Sequence, residues 1–165
     1  MPKDPLDDLE RALSNPGAIL AAASSSLAEE CIGLIKDGFR TETDPYGRKW
    51  APKQRPDGRK VLSGKTGRLK GGWKVSKQDQ HEVAVTPSVD YAEHHQNPRR
   101  NAQGRLKRPK RMMVPEYERG LPLRWKRQLR EAANDAIAEF FNGHEAGLRQ
   151  LGRLTLVGRV GFKVG

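Results

Sequence analysis

Apolar residues recur at helical spacing through two long stretches of the chain. Asp4-Pro5 marks a first helix start, with Leu6, Leu9 and Leu13 along one face. A second start at Asn15-Pro16 opens a stripe that runs to a stop at Gly38 and consists of Leu20, Ala23, Leu27, Cys31, Leu34 and Ile35. Helical spacing returns after Pro122 and stops at Gly143, with the stripe Leu129, Ala133, Ile137 and Phe140. The pattern predicts a long N-terminal helix and a second helix from about 122 to 142.

Between these helices the apolar residues alternate with a period of two. Trp73 and Val75 alternate with polar residues, and so do Val83 and Val85 after a turn at 78–80. Residues 89–96 fit either a short helix or an edge segment. We therefore expect an α+β fold, in which the long helix packs on a small antiparallel sheet. We expect residues 1–144 to form one domain with a mobile basic loop at 97–115, and residues 145–165 to form an extended Gly-rich tail.

Residues 41–60 are rich in turn-forming residues and contain one tryptophan. Pro45 and Gly47 occupy the second and fourth positions of a turn, and the same arrangement recurs at 55–58. Trp50 lies between the two turns. A tryptophan in a polar loop either packs the loop onto the core or contacts a ligand, and packing onto the core is the commoner role.

The positive charge is concentrated in one part of the chain. Residues 1–60 hold ten Lys/Arg and ten Asp/Glu, whereas the remaining 105 residues hold twenty-one and ten, so the net charge of +11 arises there. No acid and no aromatic residue lies between 99 and 111, where seven cations occur: Arg99, Arg100, Arg105, Lys107, Arg108, Lys110 and Arg111. These cations form the candidate interaction site. They would bind DNA phosphates, dock on an acidic protein surface, or simply be solvated.

No pattern in the chain indicates a cofactor, a metal site or a catalytic centre. His94 and His95 are adjacent and point apart on a helix or strand, which favours structural roles. The Gly64-Lys65-Thr66-Gly67 run lacks the earlier glycine of a phosphate loop. Cys31 is the only cysteine, which fits synthesis in a reducing cytoplasm, and it lies on an apolar stripe. No apolar stretch indicates a signal peptide or a membrane span, so no membrane partner is expected.

The order of several short motifs resembles the phage virion morphogenesis family, which includes the tail-completion proteins of Mu-like phages. The family pattern consists of a "PxGxxW" turn, an "L…TGxL" step, a short β-hairpin and "YAxxHQ". The resemblance covers residues 35–97, extends weakly to Pro115, and departs from the pattern at Asn97, where a glycine is common. The matching residues are Pro45, Gly47, Trp50, Thr66, Gly67, Leu69, Tyr91, His95 and Gln96.

The resemblance implies a structural protein rather than an enzyme. It implies a virion neck component, made in the host cytoplasm, that forms a ring with itself, expected to be a hexamer. This ring would contact neighbouring neck or connector proteins, tail-terminator or tail-tube proteins, and packaged DNA. In such a fold Tyr91 would place its ring in the core and its hydroxyl on a backbone group. The alternatives are a basic DNA-binding or DNA-packaging accessory protein and, as a third class, a nuclease or lysis factor.

Overall fold

The computed structural model describes residues 10–11, 13–78 and 82–143. Its elements in chain order are α1 (Pro16–Thr41), α2 (Arg68–Gly71), β1 (Trp73–Gln78), β2 (Val83–Pro87), a 3₁₀ turn (Asp90–Ala92), α3 (Glu93–Gln96), β3 (Arg99–Arg100), β4 (Leu106–Arg108) and α4 (Leu123–Asn142). The long helices and the β1–β2 hairpin confirm the predicted α+β fold. The helix start predicted at Asp4-Pro5 and the tail at 145–165 lie outside the described residues.

Helix α1 follows the predicted pattern closely. Pro16 occupies its first turn, where a missing N–H costs nothing, and Glu42 ends it in the left-handed conformation with φ 55°. The helix therefore ends three residues beyond the predicted stop at Gly38. The residues buried at its inner face include Leu34, Ile35 and Phe39, whereas Leu20, near its beginning, is exposed.

The β1 and β2 strands pair antiparallel, as the alternating pattern predicts. Trp73 lies opposite Pro87, and Val75 lies opposite Val85. The register then shifts, so that Lys77 faces Ala84 and Ser76 forms a bulge. Both strands pack against α1. Between residues 89 and 96 the short-helix alternative is correct, because the 3₁₀ turn and α3 occupy that stretch.

The basic stretch at 97–115 differs from the extended loop that the sequence predicts. Strands β3 and β4 form a small antiparallel hairpin within it, with Arg99 opposite Arg108. Beyond the hairpin, Met112 and Met113 are buried. The apolar run from Met112 to Val114 therefore draws the end of this stretch into the core.

Helix α4 lies antiparallel beside α1 and completes the core. The Arg124 guanidinium near the start of α4 pairs with the Asp37 carboxylate near the end of α1 at 2.8 Å. Farther along, the Ser26 hydroxyl donates to the Ala132 carbonyl at 2.9 Å. The buried cluster under these elements comprises Leu34, Ile35, Phe39, Trp50, Leu69, Trp73, Ala92, Met113 and Trp125. Trp125, the most buried residue of α4, lies outside the stripe that the sequence predicts.

Helix α1 is also long and apolar enough to span a membrane, judged by length and composition alone. One 18-residue window in it reaches a mean hydropathy of 1.5. Small alanine residues and few charges raise this average, and the expectation of no membrane partner stays a prediction. A core helix passes the same test, and α1 packs on α4 and on both strands of the β1–β2 hairpin.

Two buried tryptophans differ in one hydrogen bond, and this difference yields a stability prediction. Trp50 and Trp73 are 6% and 8% exposed. The Trp50 indole N–H donates to the Met112 carbonyl at 2.9 Å, whereas the Trp73 indole N–H has no hydrogen-bond partner within the described part of the chain. Replacing Trp50 by Phe leaves a buried carbonyl without its donor, so Trp50→Phe should lower the free energy of unfolding by about 1 kcal/mol more than Trp73→Phe does.

Chemical denaturation of both variants, followed by circular dichroism, measures this difference. Each substitution removes similar ring area, so Trp73→Phe is the matched control. Equal losses of stability in the two variants would contradict a stabilising role for the Trp50–Met112 hydrogen bond.

Candidate functional site

Three of the motif residues, Trp50, His95 and Gln96, hydrogen-bond to one irregular stretch of the chain. Residues 110–116, here called the crossing segment, run between the Trp50 loop and the end of α3. Trp50 contacts this segment through the Met112 carbonyl and packs edge-on against Phe39, with ring centroids 5.4 Å apart. This arrangement confirms that Trp50 fixes its loop onto the core.

The turn at 44–47 positions Trp50. The buried Asp44 carboxylate accepts hydrogen bonds from the backbone N–H groups of Tyr46 and Arg48, each at 2.9 Å. The Arg48 guanidinium pairs with the same carboxylate at 2.8 Å. Gly47 has φ +85°, a conformation that favours glycine, and its N–H donates to the Asp44 carbonyl. The turn reverses the chain so that the backbone N–H of Trp50 donates to the Glu42 carbonyl at 2.8 Å.

Gln96 binds the other side of the crossing segment. Its side-chain oxygen accepts from the Met113 N–H at 2.9 Å, and its side-chain amide donates to the Val114 carbonyl at 2.8 Å. One residue earlier, the His95 carbonyl accepts from the Arg111 N–H at 2.8 Å. Gln96 therefore pairs with the crossing segment much as a neighbouring strand would.

Two of the seven cations proposed as an interaction site also have fixed contacts within the fold. The Arg111 guanidinium donates to the carbonyls of Ala51 and Pro52 at 2.9 and 2.8 Å, and partial burial lowers its pKa. Lys110 pairs with the Glu116 carboxylate, and the hydrogen bond from Lys110 holds the pKa of Glu116 below its ordinary value. These two residues are therefore not free cations on a loop.

The remaining cations of that set lie on the β3–β4 hairpin. Arg100 donates to the Gly104 carbonyl at 2.8 Å, and Arg105 and Lys107 are exposed. Arg99 and Arg108 contribute their backbones to the two strands, and their side chains lie outside what the structure describes. The hairpin thus presents exposed positive charge beside the crossing segment, which leaves binding to DNA or to an acidic protein surface as an open prediction.

The sequence assigned one structural role to the wrong tyrosine. Tyr91 is 44% exposed, and its ring meets the His95 ring edge-on at 6.3 Å, so the prediction of a buried Tyr91 is wrong. The smaller Ala92 next to it fills the core position. The half-buried Tyr46 makes the hydroxyl-to-backbone contact instead, since its hydroxyl donates to the Gly120 carbonyl at 2.9 Å and accepts from the Glu116 N–H at 3.3 Å.

The other predicted positions have structural places as well. Gly67 has φ +64° and directly precedes α2. Leu69 is the buried residue of that helix. Thr66 is exposed beside them. Cys31 is half-buried on α1, where burial and then the nearby Glu30 raise the pKa of its thiol. Among the residues that the structure describes, no group of three or more His, Cys, Asp or Glu side chains could hold a metal ion.

Two of the surface depressions in the described part of the chain lie beside these residues. The first, here called the apolar groove, has a volume of about 390 Å³ and lies between the 43–47 turn and the start of α4, with Leu34, Met113 and Trp125 in its floor and Leu123 at its edge. The second, here called the basic pocket, has a volume of about 270 Å³ and is lined by residues that include Lys53, Arg68 and Arg111. No residue lines both depressions, and sequence reasoning identified neither, because each joins distant parts of the chain.

The pairing of Gln96 with the crossing segment yields a second stability prediction. Gln96→Ala removes the side-chain partner of three backbone groups of the segment, the Met113 N–H and both the N–H and the carbonyl of Val114, so we expect the free energy of unfolding to fall by about 2 kcal/mol. Gln103→Ala, at an exposed position of the β3–β4 hairpin, is the matched control and should change it by less than about 0.5 kcal/mol. Urea denaturation measures both, and similar values for the two variants would contradict this role of Gln96.

Comparison with protein-family models, with curated proteins and with solved structures finds no match for this chain. The resemblance of residues 35–97 to the virion morphogenesis family therefore stays a prediction from its motifs. The geometry adds that three of the nine motif residues, Trp50, His95 and Gln96, hydrogen-bond to the crossing segment.

Proposed function

We propose that this protein is a structural subunit of a tailed-phage neck, where a ring of copies joins the tail to the head connector. The observation that carries the proposal is a set of large apolar side chains exposed around the start of α4. Leu123 is 85% exposed, and Tyr117 and Leu121 are also exposed in the loop that leads to it. Large apolar side chains that are exposed within a few residues of one another favour contact with a protein partner.

The apolar groove next to Leu123 has the character of a docking site. Its floor is apolar, and its wall at the 43–47 turn is rigid because the Asp44 carboxylate ties together the backbone of that turn. The Tyr46 hydroxyl bonded to Gly120 joins this wall to the loop that carries Leu121. A preformed groove loses little entropy when a partner binds.

The occupant that we propose is the C-terminal tail, residues 145–165, of a neighbouring copy. Val160, Phe162 and Val164 alternate in that tail, which suits an extended segment with one apolar face. Helix α4 has 20 residues and separates its end from the groove by about 30 Å. A tail of this length reaches up to roughly 70 Å when extended, so it can span the distance to a neighbouring subunit.

A contact between the tail of one copy and the groove of the next is heterologous. Such contacts generate closed rings when the rotation between neighbours divides a full turn. The ring would then present its two faces to the neighbouring neck or connector proteins and to the tail-terminator or tail-tube proteins. The hexameric copy number comes from the family resemblance alone.

A second candidate function, a DNA-binding or DNA-packaging accessory, is favoured by one specific observation. Arg105 and Lys107 are exposed on the β3–β4 hairpin, in a part of the sequence that contains no acid. These cations attract polyanions without sequence preference. The two candidates differ in what the apolar groove does, because an accessory protein that acts only on DNA does not require it.

Substituting Leu123 tests the ring. Leu123→Asp places a charge on the apolar rim, so we expect sedimentation velocity to show monomers where the full-length protein forms a higher oligomer, and we expect the variant to fail to complement a phage that lacks the gene. Leu13→Asp alters another leucine, 50% exposed and outside the groove, and should change neither result.

A truncation after residue 144 removes the tail that we propose as the occupant and leaves the residues of the groove in place. The truncated protein should also remain monomeric. It should enter oligomers only when it is mixed with full-length protein, whose tails can bind its groove. Oligomers that survive Leu123→Asp, or that form equally well without residues 145–165, would contradict the proposed contact.

A further inference from the structure

The basic pocket brings together side chains from four separated parts of the chain. It lies between the turn at 53–57, the turn at 62–67 with the start of α2, the residues Tyr91 and His95, and Arg111 of the crossing segment. The motif residues Thr66, Gly67, Leu69, Tyr91 and His95 all line it. Their structural roles do not account for the charge that surrounds them.

The charge of this pocket is positive. Lys53, Arg68 and Arg111 contribute cations, and Asp57 is the only acid among the lining residues. The Asp57 carboxylate is already engaged, since it accepts from the Lys53 ammonium at 2.6 Å and from the Arg59 N–H at 3.1 Å. Two arginines therefore remain without a compensating carboxylate at the pocket.

The Arg111 guanidinium is held in place by the fold. Two of its five N–H donors bind the Ala51 and Pro52 carbonyls, which leaves three donors for another acceptor. Because its orientation is already fixed, little side-chain entropy is lost when Arg111 binds an anion.

Arg68 provides the second guanidinium. Arg68 is exposed at the start of α2, and its guanidinium makes no hydrogen bond or ion pair with any residue in the described part of the chain. The hydroxyls of Ser63 and Thr66 line the same pocket and add further donors. Two guanidinium groups and two hydroxyls around one depression suit a tetrahedral oxyanion.

We propose that the basic pocket binds a phosphate group of the DNA backbone. The inference rests on the proposed function, in which a ring of copies surrounds the path of the packaged DNA. It assigns to Arg68 and Arg111 the contact that holds the subunit on that DNA.

The surroundings of the pocket favour DNA over an acidic protein. Arg55, Lys65 and Lys70 are exposed nearby in the chain, and none of them pairs with an acid in the described ranges. Regularly spaced phosphates can engage several such cations at once. Tyr91 is the only lining residue among the large exposed apolar side chains of the described part, whereas an interface with a protein usually has an apolar centre.

The test measures binding of a fluorescently labelled 20-base-pair duplex by anisotropy, over a series of salt concentrations, with the full-length protein. Arg68→Gln should weaken binding several-fold on any duplex sequence and reduce the slope of log K against log salt by about 1. Arg130→Gln removes the same charge from an exposed position on α4, outside the pocket, and should leave affinity and slope nearly unchanged.

Equal losses from Arg68→Gln and Arg130→Gln would show diffuse attraction and overturn the proposal. So would binding of a polyglutamate peptide that depends on Arg68 while duplex binding does not. Sedimentation of Arg68→Gln separates this inference from the ring, because the variant should oligomerise as the unsubstituted protein does. An Arg68-dependent duplex affinity in a protein that forms no ring would support the phosphate site and contradict the proposed neck function.

Discussion

The position of the crossing segment, residues 110–116, is the constraint on which the rest of the structure depends. Trp50 holds it by the Met112 carbonyl, Gln96 holds it by the backbone of Met113 and Val114, and Arg111 ties it to the carbonyls of Ala51 and Pro52. These bonds satisfy buried backbone groups that have no helix or sheet to pair with. They also fix both surface depressions, because Met113 lies in the floor of the apolar groove and Arg111 lines the basic pocket.

Sequence periodicity predicted the elements whose signals are local. The bounds of α1, α4 and the β1–β2 hairpin follow from apolar spacing and from proline and glycine at their ends, which act within a few residues. The role of Trp50 was also predictable, because a large indole in a polar loop has few alternatives to packing.

Contacts between distant parts of the chain could not be predicted in the same way. The basic composition of 97–111 gave no indication that Lys110 and Arg111 are bound to other parts of the fold. The apolar run from Met112 to Val114 was the one sequence feature that indicated burial at the end of this stretch. The hydroxyl-to-backbone contact expected of Tyr91 is made by Tyr46, because such a contact depends on which distant backbone each side chain meets. Trp125 was missed because it lies one turn before the predicted stripe.

The apolar groove and the basic pocket differ in the chemistry of their linings. Leu123 and the apolar groove suit a protein partner, whereas Arg68 and the basic pocket suit a polyanion, and both depend on the same crossing segment. A neck subunit requires both kinds of contact, since it must bind its neighbours and also adjoin the DNA that passes through the ring. The two proposals therefore predict that substitutions in one depression or the other alter ring assembly and phosphate binding separately.

Electron microscopy of particles made by the parent phage with this gene disrupted tests the central claim most directly. A neck subunit predicts DNA-filled heads and finished tails that lie unjoined, or tails of aberrant length. Empty heads beside normal tails would contradict the account and would place the protein in DNA packaging instead.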